Sequence, residues 1–172
     1  ENETNITTII ANDNDGDELT YTLSGPDASI FNITNSGDLR FRTPLDFEAA
    51  TKTLYSVSVE VSDGFNSDSV SVEINLTNVN DEVPAFISAN FFKVVENILT
   101  IGIVSVTDAD SQTSLTYSLS GPDADSLILN PSTGVLSFIS APDFEDKPSY
   151  SLVIEVSDGD NAVTQKITID IV

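Results

Sequence analysis

The sequence predicts an all-β protein made of two tandem seven-stranded Greek-key β-sandwiches, the first without its opening strand. Three observations carry this reading. Short runs of alternating apolar and polar residues, rich in Val, Ile, Thr, Tyr and Phe, are separated by Gly, Asn, Asp and Pro, with no sustained helical periodicity. LTYTLSG at 19–25 returns as LTYSLSG at 115–121, a spacing of 96 residues in a chain of 172. Turn signals recur at the interval such sandwiches require.

Taken in order, the first repeat has clear strands at 53–61 and 67–77. Tyr55 to Val61 (YSVSVEV) alternates strictly, so one face meets a core and the other water. Residues 78–84 (NVNDEVP) are polar, acidic and closed by Pro84, and read as a linker. We therefore expect domains at 1–82, including a linker at 78–82, and at 83–172. The second repeat should place strands near 90–96, 99–106, 115–120, 126–129, 134–139, 149–157 and 162–171. Residues 85–95 supply it with an opening strand, whereas nothing precedes Glu1. The chain thus reads as a piece of a longer tandem array. A subsidiary expectation is that another chain donates the missing strand, since an unpaired edge invites augmentation.

Composition removes several function classes. Acids outnumber bases 28 to 6, for a net charge of −22. Nucleic acid and anionic membranes are poor partners for such a surface. With no Cys, His, Met or Trp, disulfides, thiolate or imidazole metal sites and Ser-His-Asp or Cys-His triads cannot be built. No apolar run reaches the length of a membrane span, and no signal peptide is visible.

Solubility alone could account for the charge, but not for the acids recurring with the repeat. Glu1-Asn2 and Glu96-Asn97 precede Asp13/Asp15 and Asp108/Asp110 at the same interval. Asp46-Phe47-Glu48 recurs as Asp143-Phe144-Glu145, and Val61-Ser62-Asp63-Gly64 as Val156-Ser157-Asp158-Gly159. From Glu96 to Asp108 an extended chain covers roughly 40 Å, close to the length of a sandwich. These two acids should therefore occupy opposite ends of repeat two, and Glu1 and Asp13/Asp15 opposite ends of repeat one. Tracing the strands places Glu1, Asp46, Glu48 and the linker at the bottom of repeat one, and Asp108, Asp110 and Asp158 at the top of repeat two. Seven carboxylates (Glu1, Asp46, Glu48, Asp81, Asp108, Asp110, Asp158) are then expected at one joint. Crowded without a counter-ion they would repel. Two or three Ca²⁺ ions, which favour six to eight oxygen ligands, would offset most of that charge; Mg²⁺ ranks second.

In this order and twice over, these motifs resemble the cadherin repeat: Glu-Asn, Asp-x-Asp, an acid pair, a hydrophobic-x-Asp and an Asn-Asp-rich linker ending in Pro. The resemblance implies a cadherin-like, immunoglobulin-like sandwich. It also implies Ca²⁺ bound by Glu1, Asp46, Glu48, Asn80, Asp81, Asp108, Asp110 and Asp158, with the main-chain oxygens of Val79 and Glu82. Asp13, Asp15 and Asp63 would face a preceding linker, and Glu96, Asp143 and Glu145 a following one. Three departures stand out. The basic residue between the paired acids is Phe47 or Phe144, the first linker acid is Asn78, and no Trp is available for strand exchange. The Gly-Pro-Asp-Ala turns at 25–28 and 121–124 resemble repeats of large microbial surface proteins.

Taken singly, Asp-Gly and Asp-x-Asp are ordinary turn chemistry. The aromatics read as core residues, and the Asn-x-Thr sequons at Asn2, Asn5, Asn32 and Asn75 say little alone. Asp46 and Glu48 have no aromatic-lined cleft beside them, so the chain is not expected to be an enzyme. The expected function is a calcium-binding extracellular or cell-surface module, rigidified through neighbouring repeats of the same chain, in an adhesin or filament. The alternative is a module recognising carbohydrate, a surface protein or a second copy of itself.

Overall fold

Alternation along residues 54–62 becomes a nine-residue strand whose inward side chains, Tyr55, Val57 and Val59, are all buried. In the computed structural model, which describes residues 1–110 and 114–172, the chain divides into two compact units, Glu1–Val79 and Asn80–Val172. Among the described residues the only helices are single 3-10 turns at Ala28–Ile30 and Ala124–Ser126.

Unit 1 contains β1 (Asn5–Thr8), β2 (Thr20–Ser24), β3 (Phe31–Ile33), β4 (Asp38–Phe41), β5 (Leu54–Ser62) and β6 (Ser67–Asn75). They form two three-stranded sheets, in the orders β1-β4-β3 and β2-β5-β6, with antiparallel neighbours throughout. Between the sheets lie Phe31, Leu39, Phe41, Tyr55, Val57 and Leu76. Phe41 stacks on Phe31 at 5.0 Å and meets Tyr55 edge-on at 5.8 Å, the offset and T-shaped geometries that aromatic rings prefer.

Unit 2 repeats this plan and extends it. Its strands are β7 (Ala85–Phe86), β8 (Phe91–Val94), β9 (Thr100–Ile103), β10 (Val106–Thr107), β11 (Thr116–Ser120), β12 (Leu127–Leu129), β13 (Val135–Phe138), β14 (Ser149–Ser157) and β15 (Ala162–Ile171). One sheet runs β11-β14-β15-β8, the other β12-β13-β9, and β7 pairs with β10. β8 lies parallel to β15, which closes the edge that β6 leaves open in unit 1. Leu136, Leu152, Ile154, Val156, Ile167 and Ile169 are fully buried between the sheets.

Two expected strands are broken. The stretch 85–95 divides into β7 and β8, and 99–106 into β9 and β10, because each half pairs in a different place. At the second break Val104 is fully buried and its N–H donates to Gly134 O, while Ser105 O accepts the N–H groups of Ile87 and Ser88. The strand near 126–129 starts one residue later, after the 3-10 turn.

Candidate metal centre

Backbone geometry aims the acids at the bottom of unit 1. Asn2 holds the left-handed conformation (φ 60°), which Asn tolerates better than most residues, and its N–H donates to Leu45 O at 2.8 Å. That turn presents Glu1 inward. Its Oε1 accepts the N–H of Val79 at 2.6 Å, and its Oε2 accepts the N–H of Phe47. Asp46 Oδ1 accepts the N–H of Ala49 at 3.1 Å, and Glu48 Oε1 accepts from the Asn78 amide. Glu1 and Glu48 bring carboxylate oxygens within 4.8 Å of each other. Asn78, read from sequence as a lost acid, is therefore a neutral donor steadying Glu48. Phe47, in the usual basic position, packs against the core of unit 1.

In unit 2 the segment 80–82 is fastened to the sandwich top. Asp110 Oδ2 accepts the Glu82 N–H at 2.8 Å, and the Asn161 amide donates to Glu82 O at 3.1 Å. Asn80 donates from its amide to Asp160 Oδ2 at 3.2 Å and to Asp158 O at 3.4 Å. Asp108 Oδ1 caps the turn by accepting the Asp110 N–H at 3.0 Å. Asp158 Oδ1 accepts the N–H groups of Asp160 and Asn161 at 2.8 and 2.6 Å. Asp81 and Asp110 have carboxylate oxygens within 4.8 Å of each other. Asp160 and Asn161 were not anticipated. Asn161 has a counterpart in Asn66, but Asp160 replaces Phe65 and only its acidity marked it.

Asp110 and Asp158 are the two buried charged residues among those described, at 5% and 8% exposure. Burial alone would raise the Asp158 pKa. The backbone N–H groups of Asn161 and Asp160, helped by the Asn80 and Asn161 amides, outweigh it and hold the carboxyl below its ordinary value. The carboxylate is thus kept ionised while removed from water. Moreover, Asn80 Oδ1, Asp108 Oδ2 and Asp158 Oδ2 are buried acceptors with no hydrogen-bond partner among the described residues. An orphaned buried acceptor costs about 1–3 kcal/mol, and more when charged. Hard cations coordinated by oxygen satisfy acceptors of this kind, and the donors, oxygen only, suit Ca²⁺ or Mg²⁺.

The remaining acids fall into two further places. Asn97 repeats the left-handed turn (φ 66°), its N–H donating to Pro142 O at 2.8 Å. Glu96 Oε2 accepts the Phe144 N–H at 3.2 Å, and Glu96, Asp143 and Glu145 bring carboxylate oxygens within 4.8 Å of one another. The nine residues of β14 separate this group from Asp158 by about 30 Å. Asp13 accepts the Asp17 N–H at 2.9 Å, and Asp15 is exposed. Asp63 is held below its ordinary pKa by the N–H groups of Asn66 and Phe65. Among the described residues Asp13, Asp15 and Asp63 do not gather within one ion's reach.

Comparison with known proteins converges on one family. Residues 91–172 match the family model described as "Cadherin domain". The chain is 34% identical over 108 residues to mouse "Cadherin-related family member 2", covering 61% of this chain and 8% of that protein. It is 32% identical over 164 residues to human "Protocadherin Fat 4", covering 87% and 3%. It therefore spans a small fraction of these relatives. Among solved structures, Drosophila N-cadherin EC1-4 matches with a TM-score of 0.79 at 24% identity, covering all of this chain and 45% of that one. Human protocadherin-24 EC1-2 matches at 0.77 and 22%, covering 99% and 88%. Residues 91–172 thus match the cadherin domain, and the chain as a whole is similar to cadherin-related proteins and shares the fold of cadherin ectodomains.

Proposed function

We propose that this chain is a calcium-stiffened pair of cadherin repeats, divided at 82/83, serving as a spacer in a cell-surface adhesin or filament. In this reading Glu1, Asp46, Glu48, Asn80, Asp81, Asp108, Asp110 and Asp158, with the carbonyls of Val79 and Glu82, share Ca²⁺ ions at the joint between the repeats. The observation that carries the reading is the set of three buried oxygens on Asn80, Asp108 and Asp158 that have no hydrogen-bond partner among the described residues. Seven of the ligands are carboxylates, so up to three divalent ions would bring +6 against −7 and turn repulsion into cross-linking. Glu96, Asp143 and Glu145 would serve a following repeat in the same way, and Asp13, Asp15 and Asp63 a preceding one.

Each residue's contribution is distinct. Glu1 and Glu48 supply charge from unit 1. Asp108, Asp110 and Asp158 do so from unit 2, and Asn80–Glu82 add neutral and charged oxygens from the connecting segment. Extracellular calcium modules bind with Kd on the order of 10⁻⁴–10⁻³ M, so such a site would be filled outside cells. Small-angle scattering and thermal melting with and without EGTA test this. The expected result is a stiff, more stable pair in calcium and a flexible, less stable one in EGTA. Unchanged profiles would overturn the proposal.

A recognition role has one observation in its favour. The outward residues Ile103, Ile128 and Val135 leave an uncharged apolar face on the β12-β13-β9 sheet of an otherwise acidic chain. Calcium-dependent self-association in sedimentation would support it, and a monomer at all concentrations would remove it.

A further inference from the structure

Asparagine is a poor strand former whose ordinary places are turns and caps. Asn66, Asn78, Asn80, Asn130 and Asn161 follow that rule: they lie outside strands and spend their side chains on turn or linker hydrogen bonds. Among the described residues the asparagines inside strands are Asn5 in β1, Asn32 in β3 and Asn75 in β6, all exposed. Each is followed at the second position by Thr, as Asn5-Ile6-Thr7, Asn32-Ile33-Thr34 and Asn75-Leu76-Thr77. The repeat does not keep them, because their counterparts in unit 2 are Thr100, Ile128 and Asp170. The one Asn-x-Ser of unit 2, Asn130-Pro131-Ser132, is closed to glycosylation by its proline. Asn2 is accounted for by its left-handed turn, which Asn97 repeats without the motif.

Two of the three strand asparagines share a face. Asn5 and Asn32 are both register partners of Arg40 on the middle strand, one on each side. Two strand spacings put them about 10 Å apart. Their neighbours Ile6, Phe31 and Ile33 pack into the core of unit 1, as Leu39 and Phe41 do beside Arg40, so the row Asn5-Arg40-Asn32 faces water. The adjoining row is polar as well: Thr8 donates to Asp38 Oδ1 at 2.7 Å, and Asp38 lies 4.0 Å from the Arg40 guanidinium. On the same face of unit 2, Thr8, Asn32 and Asp38 are replaced by Ile103, Ile128 and Val135, all exposed. The sandwich therefore demands neither the asparagines nor the polarity of this face.

We propose that Asn5 and Asn32 carry N-linked glycans that cover the outer face of the β1-β4-β3 sheet. The donor is an oligosaccharide linked to a polyprenyl diphosphate, transferred during export before the strands pair. The Asn Nδ2 forms a bond to C1 of the first sugar. The bond from C1 to the diphosphate oxygen breaks, its electron pair leaves with the polyprenyl diphosphate, and one amide proton passes to a base of the transferase. Thr7 and Thr34 supply the hydroxyl that marks each acceptor segment. In the folded domain both glycans leave from outward strand positions, so neither displaces a core residue, and their bulk keeps other chains off this face. Unit 1 is thereby screened where unit 2 presents its bare apolar face. The proposal rests on the cell-surface part of the reading above and is independent of the calcium centre.

The test is to secrete the 172-residue chain from an animal cell line behind an export signal and to map its peptides by mass spectrometry. Glycans are released by peptide N-glycosidase in heavy-oxygen water, which converts each glycosylated Asn to labelled Asp. The expected result is label at both Asn5 and Asn32, with Asn5→Gln and Asn32→Gln each removing one glycan mass from the intact protein. Labelling is read on the unaltered chain, so it does not depend on how the variants fold. Coverage of the face is read separately at Arg40, which should react with phenylglyoxal more slowly in the glycosylated protein than in the Asn5→Gln/Asn32→Gln protein. A secreted chain with either asparagine unlabelled, or equal Arg40 reactivity in the two proteins, would overturn the proposal. Neither readout involves calcium, so a joint that binds no ion would leave the result unchanged.

Discussion

Replacing Asp158 with Asn separates a metal role from a folding role by the calcium dependence of its effect. Asp158 Oδ1 accepts two backbone N–H groups, and an Asn oxygen accepts the same two. The other oxygen is buried with no hydrogen-bond partner among the described residues, so the substitution removes a charge that a cation would satisfy. Two unit charges 4 Å apart attract by about 1 kcal/mol in water and about 4 kcal/mol at an effective dielectric constant near 20, and a divalent ion doubles this. The amide oxygen recovers part of the loss. A net loss of about 2–3 kcal/mol corresponds to a roughly 30- to 150-fold weaker calcium affinity. At calcium a hundred-fold above Kd, binding adds about 2.7 kcal/mol of stability to the wild type. For a domain of this size that is worth roughly 10–20 °C in Tm, most of which the variant forgoes. In EGTA the difference narrows, because the variant then loses only the charge on the hydrogen bonds from the Asp160 and Asn161 N–H groups. Differential scanning calorimetry of both proteins in calcium and in EGTA measures this. Equal destabilisation in the two conditions would refute the reasoning and make Asp158 a turn residue only.

The Asp123–Lys147 pair, which lies beside Tyr150, predicts a distinct pH response. Lys147 and the Ser151 N–H hold the Asp123 carboxyl below its ordinary value near 3.8, and Asp123 raises the Lys147 pKa above 10.5. The Asp123 contribution is therefore complete above pH 3.8 and fades as pH falls below it. The Lys147 contribution is complete below pH 10.5 and fades above it. Acid and alkaline melts of Asp123→Asn should lose this pH dependence, and an unchanged profile would contradict the pairing. Gly134→Ala should destabilise unit 2 by roughly 2 kcal/mol more than Gly159→Ala in urea melts. Both glycines have positive φ, 66° at Gly134 and 110° at Gly159, but a Cβ at Gly134 would also lie 2.3 Å from Val104 O whereas one at Gly159 meets nothing within 4 Å; equal or reversed costs would show that backbone strain outweighs this contact.

The sheets were readable because inward alternation in segments such as Tyr55–Val61 and Tyr150–Val156 is strict and the repeat duplicates it. What escaped the sequence was where a strand leaves one partner for another. Residues 99–106 show a continuous β pattern, yet Val104 turns into the core and divides the strand. In the candidate site, the recurring acids marked which residues to inspect, but the hydrogen bonding of each depended on the fold. Asn78 became a donor to Glu48 because the bottom turn brings them together. Asp160 and Asn161 entered through the Asp158 turn, whose Asp-Gly letters read equally well as simple turn chemistry. Asp13, Asp15 and Asp63 carry the same motif letters as Asp108, Asp110 and Asp158. The unit 2 acids are set apart by the Asn80–Glu82 segment, which Asp110 and the Asp158 turn hold in place.

Crystals grown in calcium, with anomalous density and coordination distances measured around Asp81, test the central claim most directly. The account predicts divalent ions with six to eight oxygens at 2.3–2.6 Å, drawn from Glu1 or Glu48 as well as from Asp81 and Asp110. No ion there, or an ion held by one repeat alone, would contradict it.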